Sequence, residues 1–167
     1  MSRLTLIGIG GNLDSLRWGP PRETQSAALD ALAGEGVVVR ARSAWYRSAP
    51  VPVSDQPWFV NAVAVVETAL DAGDLLAVLQ AIETRFGRVR SVRNAARTVD
   101  LDLLDHRGQR IEKPELILPH PRLHQRRFVL KPLAEVAPGW RHPILGQTAR
   151  QLLASLDDEH PVERLPD

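Results

Sequence analysis

The chain has 167 residues, 44% of them apolar and 25% charged, with a formal net charge of +1. This is the balance of one soluble globular domain, and it excludes a global electrostatic pull toward nucleic acid or anionic membrane. The absence of cysteine excludes disulfides, thiolate chemistry and zinc–thiolate sites.

The N-terminal stretch MSRLTLIGIGGNL lacks the apolar core and cleavage site of a signal peptide, and no apolar run is long enough to span a bilayer. A cytoplasmic protein with no membrane partner is expected. Leu4 to Ile9 reads as a short strand that ends in a tight turn at Gly10-Gly11-Asn12. Pro20-Pro21 opens a helical stretch through Ala28, Leu29 and Leu32 that stops at Gly34. Val37 to Tyr46 alternates valine with Arg40 and Arg42 and is expected as one strand with a wet face. The following SAPVPVSDQPW has no periodicity and reads as a long functional loop.

Phe59 to Thr68 is a strong strand, with Phe59, Asn61, Val63 and Val65 on one face. Asp71 is placed to cap a helix carrying Leu75, Leu79, Ile82 and Phe86, and Gly87 to stop it. Thr98 to Leu104 is a further strand. The order predicts an α+β fold: a ferredoxin-like βαββαβ core, its antiparallel sheet bearing both helices on one face. A C-terminal hairpin (112 to 118) and short helices (128 to 136, 148 to 156) follow, and the end from Asp157 is expected to fray. Residues 1–167 are expected to form a single domain.

The chemistry concentrates in RNAARTVDLDLL, residues 93 to 104. Alternation puts Asp100 and Asp102 on one side of the strand, roughly 6 to 7 Å apart, and Leu101 and Leu103 on the other. Carboxylates this close repel unless a cation lies between them. Oxygen ligands favour Mg²⁺ or Mn²⁺ over zinc; pairing with Arg93 and Arg97 is the structural alternative. From Arg85 to Arg97 there are five arginines and no acid. Directly before two metal-type carboxylates, such a run suits a polyphosphate clamp. No P-loop and no GxGxxG after a strand is present. In PHPRLHQRRF, His120 sits on a rigid turn as a candidate phosphate donor, and His124 lies one helical turn on. Phe59 and Phe128 are flat walls for a ring or core residues.

These residues together resemble the 6-hydroxymethyl-7,8-dihydropterin pyrophosphokinase family of folate synthesis. The resemblance is carried by Gly10-Gly11-Asn12-Leu13, by Tyr46-Arg47-Ser48 with Asp55-Gln56-Pro57 and Phe59-Val60-Asn61, and by Gln80, Glu83 and Gly87-Arg88-Val89-Arg90. It continues through residues 93–104 and Pro119-His120-Pro121-Arg122 to Arg126 and Phe128. It implies transfer of an intact pyrophosphoryl group from ATP to the pterin hydroxymethyl group, with release of AMP and use of two Mg²⁺ ions. By resemblance Asp100 and Asp102 hold both metals and, with Arg88 and Arg97, form the catalytic group. Gln80, Glu83, Arg88, Arg90, Arg93, Arg97, His120 and Arg126 match ATP-side positions. Phe59 and Phe128 match the rings that sandwich the pterin; Asn61, Ser48, Pro50 and Val51 match the groups at its edge. The chain departs from the family pattern at Gly11, Ala49, Asn94 and Glu115. The implied partners are small molecules, with a monomer expected and no nucleic acid. Two alternatives are an RNA-binding module using the open sheet face, and a kinase or ATPase on the same fold.

Overall fold

In each strand successive side chains face opposite ways, so every strand here builds two layers at once. The computed structural model describes residues 4–50, 52–87, 98–157 and 160–167. In chain order the elements are β1 (Thr5–Gly11), α1 (Pro21–Leu32), β2 (Val37–Arg42), β3 (Tyr46–Ser48), β4 (Phe59–Thr68), α2 (Ala72–Arg85) and β5 (Asp100–His106). There follow β6 (Ile111–Lys113), β7 (Leu116–Leu118), α3 (Arg127–Val136), α4 (Ala149–Ala154) and β8 (Val162–Arg164). The main sheet runs β5-β1-β4-β3-β8, with β2 also on β4, and its pairings are antiparallel. This is the expected βαββαβ core.

Local chemistry explains most element ends. The Asp71 carboxylate accepts the Asp74 N–H at 2.8 Å and caps α2. Gly87, at φ 89°, takes the left-handed conformation that ends that helix. The α1 stop is not at Gly34. A short 3₁₀ turn, Ala33–Glu35, carries the chain on, and Gly36 at φ 78° makes the reversal. The strand expected over residues 37 to 46 is split. Ser43 explains the break: its N–H donates to the Val63 carbonyl and its hydroxyl accepts the Val63 N–H, so the chain kinks but stays on β4.

One face of the sheet is closed by α1 and α2. Ile7, Ile9, Ala62, Ala64, Leu101 and Leu103 pack there with Leu29, Leu32, Leu75, Leu79 and Ile82. The other face is not open, as the four-stranded prediction implied. Leu6, Val63 and Leu104 pack against Leu123, Leu130, Leu133 and Leu152, so α3 and α4 cover part of it. Leu104 reaches that face by the same alternation as Asp100 and Asp102, and a bulge beside it, where Leu6 pairs with Asp105 and Ile7 with Leu103, brings the Asp105 carboxylate there as well, to accept from Trp140 Nε1 at 2.8 Å. The aromatic display that an RNA-binding sheet requires has little room there. The C-terminus is not frayed as expected either. Its backbone finds donors and acceptors on the edge of β3, where β8 pairs.

Candidate active site

The uncovered part of the second face forms a cavity enclosing about 120 Å³. That is far more than the roughly 10–15 Å³ a single water requires. Its floor is β1, in a form the sequence reading missed. Gly10 and Gly11 are not a turn. They continue β1, and Gly8 and Gly10 lie directly beside Asp102 and Asp100 on β5. Glycine leaves bare backbone between the carboxylates and β4. Gly10 is flanked on the β4 side by Asn61. A Cβ added at Gly10 would lie 2.8 Å from Asn61 Oδ1. The readable signal was the spacing of two glycines at i and i+2 in an otherwise apolar strand, which marks one face of a strand rather than a reversal.

Asp100 and Asp102 are half-buried, line the cavity together and share a face, with Leu101 and Leu103 in the opposite core. The expected alternation is present. β5 is held by Glu83 of α2, which is buried and accepts the Leu101 N–H at 2.8 Å. Glu83 thus grips β5 from the helix side, between the two aspartates in sequence. Gln80, one turn earlier on α2, is exposed. Neither residue is among those lining the cavity.

The other walls come from β3, β4 and α3. Phe59 and Asn61 both line the cavity, as their shared strand face requires. Asn61 is buried, and its Nδ2 donates to the Ser48 hydroxyl at 2.7 Å, which fixes the amide plane. Ala49 and Pro50 continue the wall from Ser48. Phe128, in the first turn of α3, lines the cavity while packing against residues of two apolar clusters. The Arg126 guanidinium lies 5.5 Å from the Phe128 ring centre and 4.0 Å from Asp102 Oδ2. Both side chains of that pair retain solvent exposure, so the contact contributes little to stability.

His120 sits where the chain leaves β7, its N–H donating to the Leu104 carbonyl at 2.9 Å. Burial, with Arg126 and Arg122 outweighing Asp100, brings its imidazole down to about 4. The Nδ1 atom accepts the Arg122 N–H at 3.2 Å, which assigns the remaining proton to Nε2. His120 is therefore a neutral donor at physiological pH. The His124 ring lies edge-on to His142, 5.9 Å between centres. Glu115 is exposed on the turn between β6 and β7.

Asn12 is buried just past β1. Its Nδ2 donates to Gln56 Oε1 and to the Pro57 carbonyl, tying the proline-rich loop to the strand end. Val51, Arg88, Arg90, Arg93 and Arg97 lie outside the described residues.

Among the described residues no group of three or more His, Cys, Asp or Glu could form a metal cage. The two aspartates suit a different kind of site. Mg²⁺ is commonly bound through one or two carboxylates and takes its other oxygens from water and phosphate. The donor set, opening onto bare glycine backbone, fits that chemistry.

Comparison with known proteins gives a consistent answer. The sequence model of the 7,8-dihydro-6-hydroxymethylpterin-pyrophosphokinase family matches residues 6–138. The chain is 44% identical, over 99% of both sequences, to a Pseudomonas aeruginosa protein named 2-amino-4-hydroxy-6-hydroxymethyldihydropteridine pyrophosphokinase. A Synechocystis protein of the same name is 38% identical, over 91% of this chain and 75% of its own. Among solved structures, a Plasmodium falciparum HPPK-DHPS triple mutant with SDX-DHP superposes with a TM-score of 0.68 at 15% identity. That match covers 90% of this chain but only 44% of the longer one, and it establishes the fold alone. The chain belongs to the 7,8-dihydro-6-hydroxymethylpterin-pyrophosphokinase family.

Proposed function

We propose that this chain transfers the terminal pyrophosphoryl group of ATP to the hydroxymethyl oxygen of 6-hydroxymethyl-7,8-dihydropterin, releasing AMP. The observation that carries the reading is one cavity walled by two carboxylates, two phenyl rings and a fixed buried amide. The rings of Phe59 and Phe128 suit a flat heteroaromatic ring, and such pairings prefer offset or edge-on stacking. The Asn61 amide, held by Ser48, presents donor and acceptor groups to that ring's edge. A fixed amide discriminates well, because a ligand lacking the matching groups leaves it unpaired.

Asp100 and Asp102 would hold Mg²⁺, which when bound neutralises phosphate charge and orients the phosphates. The chain's own residues do the rest. Arg126 and the neutral Nε2–H of His120 supply further donors toward phosphate oxygens. Arg88, Arg90, Arg93 and Arg97 belong to the same clamp by their place in the family motif. The pterin hydroxyl attacks the β-phosphorus in line; a new P–O bond forms, the bond from the β-phosphorus to the α-phosphate oxygen breaks, and the hydroxyl proton passes to solvent. AMP is the leaving group, and no covalent enzyme intermediate is required. Positioning and charge neutralisation supply the rate. Residues 1–167 act as one pyrophosphokinase domain, a monomer in the cytoplasm with small molecules as its partners. Among the described residues no helix is long and apolar enough to cross a membrane.

The test is product analysis. Purified protein with ATP, Mg²⁺ and the pterin alcohol should give AMP and pterin diphosphate in equal amounts. ADP would make the chain a single-phosphoryl kinase or an ATPase, and no turnover would refute the assignment.

A further inference from the structure

The family match ends at residue 138, yet the chain beyond it returns to β3, the strand that leads into the cavity wall. β8 adds to the edge of β3 in the register Tyr46↔Arg164, Arg47↔Glu163, Ser48↔Val162. Ser48 holds the Asn61 amide, and Ala49 and Pro50 after it are cavity wall. The tail also grips the Ala49 peptides. The Ala49 N–H donates to the Pro161 carbonyl at 3.4 Å, and His160 Nε2 to the Ala49 carbonyl at 2.5 Å. Lys131 of α3 reaches across to the Val162 carbonyl at 3.2 Å. Val162 itself is buried with Ala44 and Tyr46, and Phe128 packs against that cluster. The tail therefore supports two walls of one cavity: it binds Ser48 and Ala49, and Val162 belongs to the apolar cluster against which Phe128 packs.

β3 has three residues, and a strand so short has few ladder bonds of its own. After it the chain enters a proline-rich loop. Pairing on both edges makes β3 an interior strand and orders the wall before a ligand arrives, which lowers the entropy lost on binding. The carboxylates lie on β5, at the opposite end of the sheet path from β8, four strand spacings or roughly 19 Å apart.

We infer that β8 is a positioning element for the ring-binding half of the site: it sets affinity for the pterin and leaves the ATP half untouched. This rests on the proposed pterin pocket. The test uses the full-length chain with Glu163→Pro, which deletes a ladder N–H at an exposed position. Glu163→Ala is the control, since it removes the same 2.7 Å ion pair to Arg47 but keeps the N–H. Val162→Ala is the second variant, acting through the packing behind Phe128. Binding of the pterin, in the presence of a non-transferable ATP analogue, and of the analogue alone are measured by calorimetry. Glu163→Pro should weaken pterin binding about tenfold, with analogue affinity and the Glu163→Ala control unchanged. Val162→Ala should move pterin affinity in the same direction by less. Wild-type pterin affinity in both Glu163→Pro and Val162→Ala, or equal losses for pterin and analogue, would overturn the inference while the pterin reading stands. Absence of pterin binding by the wild-type chain would overturn both.

Discussion

The two faces of the sheet are made from alternate residues of the same strands, and they differ in nearly every physical respect. Toward α1 and α2 stand Ile7 and Ile9, Ala62 and Ala64, Leu101 and Leu103, all buried. One residue along in each strand stand Gly8 and Gly10, Asn61, and Asp100 and Asp102, which line the cavity. The first face stabilises; each buried leucine or isoleucine contributes about 1.5–3 kcal/mol. The second gives up that burial where the cavity lies and is rebuilt as core only under α3 and α4, around Leu6, Val63 and Leu104. A sheet can therefore carry a polar site at its centre if its other face is dense enough to hold the strands in register.

Changes on the two faces should separate activity from stability. The largest effect is expected from Asp102→Ala. Loss of a carboxylate proposed to hold Mg²⁺ should cost several kcal/mol in the transition state, on the order of 10³-fold in kcat/KM. The denaturation midpoint should not fall, because a like-charge neighbour of Asp100 has been removed. Parallel steady-state kinetics and urea unfolding check this; a drop in stability without a drop in rate would contradict the division of faces.

The converse change is Leu79→Ala, on the helix side, at a fully buried position. It should destabilise the chain by about 2–5 kcal/mol while leaving kcat per folded molecule unchanged. Urea unfolding with activity measured well below the transition decides it.

A finer comparison sits within β1. Gly10→Ala places a methyl 2.8 Å from Asn61 Oδ1, and the Asn61 amide, held by Ser48, must move. Pterin affinity should fall about tenfold, the scale of one lost hydrogen bond to a buried group. Gly8→Ala meets Leu104 first, at an ordinary 3.5 Å, and should change that affinity far less. Equal effects in calorimetric titration would show that the floor, and not Asn61, governs ring binding.

The smallest effect is confined to alkaline pH. Burial, helped by the hydrogen bond to Glu135 and its charge, pushes the Tyr46 phenol up to about 12 from its ordinary 10.0. The folded state holds this proton more tightly than the unfolded one. The stability is therefore fully present below pH 10 and is lost as pH rises from 10 toward 12. Tyr46→Phe should show a shallower fall of melting temperature across that window than the wild type.

Much of this was legible in the residues. The alternation in DLDLL specified which side chains of β5 face water and which face the core. Asp71 and Gly87 bounded α2 by local capping chemistry, which needs no tertiary information. The readings that failed share a cause. GIGG looks like a turn because glycine favours turns, but these glycines are present for the space they leave beside Asp100, Asp102 and Asn61. Gly34 looks like a helix stop, yet Gly36 is the residue that adopts positive φ. The polar C-terminus looks frayed because nothing within it can pair, while its partner, β3, lies over a hundred residues away.

By itself the sequence determined the α+β class and the succession of elements from β1 to β5 apart from the split of β2 from β3, since these follow from local periodicity and residue type. Only the tertiary structure decided what the carboxylates face. Strand pairing brings β5 beside the bare backbone of β1. The bulge beside Leu104 turns Asp105 toward Trp140. Packing of α3 delivers Phe128 and Arg126, and the edge of β3 accepts β8. Each of these is a contact between distant segments, selected by which surfaces bury apolar area and satisfy backbone polar groups together. No local pattern encodes that selection.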